Sequence, residues 1–105
     1  MTGTFPLPSE PSNEVVQLKY GLTADVSKIG RMCTVYINSS VNRATTAWEN
    51  LGYLPRPKTR VLAPNCAGMD HYALVNPEGQ LVLSKALSSG GYIQSYFCYL
   101  LADDE

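Results

Sequence analysis

Several residue types that functional sites commonly need are scarce in this sequence of 105 residues. Histidine occurs once, at position 71, and charged residues make up only 16% of the chain. Eight lysines and arginines stand against nine aspartates and glutamates, so the formal net charge is −1. A protein that binds nucleic acid mainly through phosphates needs a basic surplus, which this chain lacks. We therefore expect no nucleic-acid partner.

Long apolar runs are also missing. None approaches the roughly 20 residues that a membrane-spanning helix needs, and the first residues lack the basic and apolar segments of a signal peptide. Hydrophobic residues nevertheless make up 45% of the sequence, which is enough for one core at this length. We expect a single folded domain that has no membrane partner.

Cysteine is limited to Cys33, Cys66 and Cys98, and no two of them have the spacing of a zinc or thioredoxin-like motif. We interpret them as reduced and mostly buried thiols, typical of a chain made in a reducing cytoplasm. A disulfide that leaves one thiol over is the alternative.

Motifs of catalysis are absent as well. The sequence contains no GxSxG, HExxH, GxxxxGK[ST] or DxDxDG pattern. Asp70 precedes His71, but neighbouring residues on a strand point to opposite faces, so it is poorly placed to orient the imidazole. We expect a protein that is not an enzyme and that holds neither cofactor nor metal.

Tyrosine, glycine and proline are abundant, with seven, eight and seven copies. This composition favours a turn-rich β domain. Apolar residues alternate with a period of two from Val15 to Ile37 and from Asp70 to Leu101. The segment 14–22 is interpreted as one strand, and Asn76-Pro77-Glu78-Gly79 predicts a type I hairpin turn.

We count six or seven strands and no sustained helix. The predicted fold is all-β, a small two-layer antiparallel β-sandwich or jelly-roll-like domain. Residues 1–13, with three prolines, are interpreted as an N-terminal arm or linker, and residues 14–105 as the β-sandwich domain.

The two longest loops carry aromatic and polar side chains of the kind that bind sugars, because rings stack on the C–H faces of a sugar while polar groups take its hydroxyls. The candidate saccharide-binding residues are Asn65, Asp70, His71 and Tyr72, followed by Trp48 and Arg43 of the other loop. The alternative is structural, since a lone tryptophan in a small sandwich is more often a plug in the core or at one end of the sandwich.

The segments 31–38 and 92–101 carry apolar or aromatic residues on both faces, more than one two-layer core can bury. The candidate oligomer-interface residues are Met32, Tyr36, Tyr96 and Leu100. The alternative is that both strands are central and that loops cover them.

Five segments follow one another in the order VVQLKYGLTADVSKIG, GRMCTVYINSSV, LGYLPRP, ALVNPEGQLVLS and GGYIQSYFCYLL. This order resembles the C-terminal receptor-binding head domains of phage tail fibre and baseplate proteins. The resemblance implies a homotrimer in the virion, at the phage tail tip or baseplate, which adheres to a bacterial cell-wall polysaccharide and contacts other tail proteins. It implies no catalysis and no cofactor. The alternative is a structural connector of the same particle that has no ligand.

Overall fold

The computed structural model describes residues 12–64 and 72–105. Their regular structure consists of seven strands and one 3₁₀ turn, Lys19–Gly21. The strands are β1 (Ser12–Gln17), β2 (Thr23–Ile29), β3 (Met32–Ser40), β4 (Val61–Pro64), β5 (Tyr72–Val75), β6 (Leu81–Leu83) and β7 (Tyr92–Leu100). The predicted all-β class is confirmed. β1 begins at Ser12, two residues before the predicted start of the domain.

Two antiparallel sheets form the layers of a small β-sandwich. One has the order β1-β2-β3-β7 and the other the order β4-β5-β6. The strands alternate as the sequence predicted, so that β3 buries Cys33, Val35 and Ile37 while Met32 and Tyr36 face outward. Burial of the inward side chains supplies the main driving force for folding. The outward side chains of both sheets therefore form the surfaces on which function must be sought.

The prediction of one strand over 14–22 is wrong, because the chain reverses direction there. Tyr20 and Gly21 both have positive φ, at 60° and 79°, and this places them in the 3₁₀ turn between β1 and β2. The two strands then pair, with Gln17 opposite Thr23. Tyrosine rarely adopts a left-handed backbone, so propensity gave no warning of the turn.

The predicted hairpin at Asn76–Gly79 is confirmed. The Gly79 N–H donates to the Asn76 carbonyl at 2.8 Å, and the flanking strands pair with Val75 opposite Leu81. Gly79 has a φ of 87°, and a Cβ at this position would lie 2.5 Å from the Leu54 carbonyl oxygen. Both the turn and its packing against residue 54 therefore require glycine.

We expect Gly79→Ala to lower the free energy of unfolding by about 3 kcal/mol, the sum of left-handed strain and a backbone clash. Gly30→Ala is the matched control, because Gly30 has a φ of 58° but nothing within 4 Å of its added Cβ. Urea unfolding measures the loss of stability in each variant. The loss in Gly30→Ala reports the backbone strain, and the additional loss in Gly79→Ala reports the clash with Leu54. Equal destabilisation of the two would show that the Leu54 contact contributes nothing.

Of the two described cysteines, which we expected to be mostly buried, one is buried and one is exposed. Cys33 is buried, and burial raises the pKa of its thiol, whereas Cys98 is exposed on the opposite face of the same sheet. Both are free, and they cannot pair with each other within one chain because they point to opposite sides of adjacent strands. Cys66 lies outside the described residues.

Candidate functional site

The loop 43–50 follows β6 instead of projecting away from the sandwich. Two of its N–H groups donate to carbonyls of that strand and the segment after it, Thr45 to Leu87 and Trp48 to Leu83, each at 2.8 Å. Directly after the loop, Leu51 N–H donates to the Leu81 carbonyl, also at 2.8 Å. These bonds cover the edge of β6 that β5 leaves open. These backbone hydrogen bonds give Trp48, the aromatic residue of the loop, a defined position.

Trp48 and Tyr72 meet on the surface although they are distant in sequence. Their ring centroids lie 6.0 Å apart in an edge-to-face arrangement at 66°. Trp48 is 53% exposed and Tyr72 is 40% exposed, so Trp48 is not buried in the core. The two residues are the candidate saccharide-binding pair that the structure brings together.

Tyr72 is positioned by strand pairing. Its N–H donates to Ser84 Oγ at 2.9 Å, and its carbonyl accepts the Ser84 N–H at 3.0 Å. Its neighbour Ala73 is buried in the core, so alternation turns the Tyr72 ring to the outer face of the three-stranded sheet. The Ser84 hydroxyl thus lies against the backbone of one member of the aromatic pair.

Arg43, the third described candidate, takes part in a different contact. Its guanidinium lies over the Tyr20 ring, 5.1 Å from the centroid, which is a cation–π geometry. The Tyr20 hydroxyl donates to the Glu49 carboxylate, which also accepts from Thr46 N–H at 3.0 Å and Thr46 Oγ1 at 3.2 Å. These contacts tie both ends of the loop 43–50 to the turn after β1 and so support Trp48.

Sequence reasoning missed Tyr20 and Glu49, because nothing in the local pattern indicates that a turn residue meets a loop 29 positions later. The hydrogen bond from Tyr20 lowers the pKa of Glu49, and the same bond raises the pKa of Tyr20. The charge of Lys19 also lowers the pKa of Glu49, and the charge of Arg43 opposes the rise in the pKa of Tyr20.

We expect the loop to loosen at acidic pH. A carboxyl whose pKa is lowered by folding contributes stability above its unfolded pKa, and this contribution is lost as pH falls through the folded pKa. Because Trp48 is the sole tryptophan, acrylamide quenching of its fluorescence should rise in this range in the wild type. In Glu49→Gln quenching should be high at neutral pH and insensitive to acid.

Glu78→Gln is the control for this titration, since Glu78 is exposed in the hairpin turn. It should keep the wild-type profile. Identical profiles for the wild type and Glu49→Gln would contradict a role of Glu49 in holding the loop.

Asn65, Asp70 and His71 lie outside the described residues. Whether they join Trp48 and Tyr72 therefore stays a prediction. Tyr72 is the one candidate of that loop whose position is described.

The four candidate interface residues lie together on the outer face of the four-stranded sheet. Met32 is opposite Leu100 and Tyr36 is opposite Tyr96, whose rings make an edge-to-face contact at 6.0 Å. Tyr96 is 72% exposed and the other three are also exposed, so within the described residues no loop covers them.

Two further apolar residues extend this outer face, and both were missed by sequence reasoning. Ile29 is opposite Met32 in the register of β2 and β3. Asp25 of β2 is opposite Tyr36 on one side and opposite Val15 of β1 on the other, so Val15 lies on the same face. Asp25 is the one charged side chain that the register places on this face in the described strands. Depletion of charge and enrichment in tyrosine are typical of the centre of protein interfaces.

Within residues 12–64 and 72–105, no three histidine, cysteine or acidic side chains come together as a metal-binding group. No helix in these residues has the length and apolar character needed to cross a membrane.

The fold and its surfaces define a small antiparallel β-sandwich with an exposed aromatic pair on one sheet and a charge-poor face on the other. A scan against models of known protein families and a search of curated proteins both find no match to this chain.

Proposed function

We propose that this protein is a non-catalytic receptor-binding domain of a phage tail, which recognises a bacterial cell-surface saccharide as a homotrimer. The observation that carries the proposal is the exposed pair of Trp48 and Tyr72, with centroids 6.0 Å apart. The order of strands and turns along the chain, which resembles tail fibre and baseplate head domains, supports the virion as its location.

The chemistry of the pair suits a sugar. An indole ring offers a flat apolar surface to the C–H groups of a pyranose, and the hydroxyl groups of Tyr72 and Ser84 can exchange hydrogen bonds with its hydroxyls. An open, shallow site of this kind binds weakly. We expect a dissociation constant of about millimolar to micromolar for one protomer.

Trimer formation raises the effective affinity without any new contact to the sugar, because several sites engage one surface. The outer face of the four-stranded sheet supports this part of the proposal, since Met32, Tyr36, Tyr96 and Leu100 form an apolar surface with little charge. A permanent interface is expected to have that composition.

A structural connector without a ligand is the second candidate function. The same exposed face favours it, because another tail or baseplate protein of complementary shape would cover these apolar side chains equally well. The two functions differ in what the Trp48 surface does. Only the adhesion domain requires it to bind saccharide.

A glycan array of bacterial cell-wall saccharides tests the choice. The wild-type protein, displayed on a multivalent support, should bind a subset of glycans, and soluble fragments of those glycans should change the fluorescence of Trp48. The connector is favoured instead if no glycan binds at millimolar monomer concentration and the emission of Trp48 does not respond.

A further inference from the structure

The outer face of the three-stranded sheet extends beyond the aromatic pair. Along β5 and β6, Ala73, Val75, Leu81 and Leu83 are buried in the core. Alternation therefore places Leu74, Gln80 and Val82 on the opposite, outer face together with Tyr72. This face is the surface on which any ligand of Trp48 would lie.

A second aromatic residue lies at the other end of β6. Tyr53 is 56% exposed and forms a β-bridge with Gln80. The Gln80 Nε2 group donates to the Tyr53 hydroxyl at 3.4 Å, so the Tyr53 side chain lies on the same face as Gln80. Hydrogen bonds from Gln80 and Asn50 lower the pKa of Tyr53.

The Gln80 amide is held in a fixed orientation by Asn76. Asn76 Nδ2 donates to Gln80 Oε1 at 3.0 Å, and the Gln80 N–H donates to Asn76 Oδ1 at 2.9 Å. With its oxygen engaged, the amide turns Nε2 toward Tyr53. A side-chain amide nitrogen carries two N–H groups, so it can donate to Tyr53 and to a sugar hydroxyl together.

The distance between the two aromatic positions follows from the pairing along β6. The Trp48 N–H bonds to Leu83, whereas Tyr53 bridges Gln80, three residues earlier on the strand. At about 3.3 Å per residue this separation is about 10 Å, which is comparable to the length of a disaccharide. Val82, 9% exposed, provides an apolar floor between them.

We propose that Tyr53 and Gln80 form a second sugar subsite, and that the ligand is a linear glycan which runs along β6 from the Trp48–Tyr72 pair to Tyr53. The inference rests on the proposed saccharide-binding function and deepens it. It assigns the ligand to chains of several sugars and predicts that a monosaccharide occupies only one end of the surface.

The test uses fragments of graded length, from monosaccharide to hexasaccharide, cut from a cell-wall polysaccharide that the wild-type protein binds. Isothermal titration should show that wild-type affinity rises with length until both aromatic residues are covered. Tyr53→Ala should keep the affinity for the shortest fragments and lose about tenfold for the longest. Trp48→Ala should lower the affinity for every length.

Leu62→Ala is the matched control, because Leu62 is 62% exposed on β4 of the same sheet face but away from the line between Trp48 and Tyr53. It should bind like the wild type. The second subsite is wrong if Tyr53→Ala keeps the full length dependence, or if Leu62→Ala loses as much affinity. A change in sedimenting mass in Tyr53→Ala would make this surface a protein contact and overturn the subsite.

Failure of the proposed function has a different signature. In that case no cell-wall polysaccharide binds the wild-type protein, or every fragment binds the wild type and Trp48→Ala equally. A subsite that fails alone leaves the loss in Trp48→Ala intact.

Discussion

Trp48→Ala is expected to weaken saccharide binding by about tenfold to a hundredfold. Covering a large aromatic side chain contributes about 1.5–3 kcal/mol, and each 1.4 kcal/mol is about a factor of ten in affinity. The side chain is 53% exposed and belongs to a loop anchored by its backbone, so its removal leaves the core untouched. Titration with the array-selected saccharide measures the loss, and sedimentation checks that assembly is unchanged.

Two further variants test how each aromatic ring contributes to saccharide affinity. Trp48→Tyr keeps an aromatic surface and should retain most of the affinity. Tyr72→Ala removes the edge-to-face partner 6.0 Å away and should weaken binding by a smaller factor than Trp48→Ala. Normal binding by both alanine variants would move the saccharide site away from this pair and favour the structural connector.

Tyr96→Asp is expected to convert the proposed homotrimer into monomers. Tyr96 lies opposite Tyr36 at the centre of β7, an edge strand of the charge-poor face, and is 72% exposed in the single chain. Its replacement therefore costs little in the isolated fold, whereas burying an unpaired carboxylate in an interface costs several kcal/mol. Analytical ultracentrifugation should show a threefold fall in mass, with an unchanged circular dichroism spectrum.

Leu62→Asp is the control for this variant, since it adds the same charge at a similarly exposed position on the other sheet. It should remain trimeric. A wild-type protein that is a stable monomer at micromolar concentration would contradict the trimer directly.

Cys98 provides a second measure of assembly, because it lies between Tyr96 and Leu100 on the same face of β7. If the wild-type protein assembles as proposed, this thiol should react slowly with a maleimide in the wild type and rapidly in Tyr96→Asp. Comparison with Cys98→Ser shows how much of the maleimide labelling occurs at Cys98. Equal rates in the two proteins would place the interface elsewhere.

Local patterns were sufficient to predict the class of fold. Alternation along 32–37 predicted correctly that Cys33, Val35 and Ile37 face the core, and Asn76-Pro77-Glu78-Gly79 predicted its hairpin. Both rest on interactions within a few residues. Side-chain direction on a strand has a period of two, and a turn depends on the preferences of four consecutive residues.

Local patterns failed where a distant contact competes with propensity. The segment 14–22 alternates like one strand, yet Tyr20 adopts a φ of 60°. Its hydroxyl reaches Glu49 and its ring lies under Arg43, contacts that the turn makes with a loop far along the chain. The alternation of apolar residues along the segment therefore cannot predict the turn at Tyr20.

The sequence by itself determined which side chains face inward and which face outward on most strands, because alternation depends only on the local backbone. Only the tertiary structure decided which outward side chains meet. Sheet order and register placed Tyr36 beside Tyr96, and the backbone bond from Trp48 to Leu83 brought its loop to Tyr72. Such proximities depend on pairing between segments distant in sequence, and those pairings form only when the whole core is buried at once.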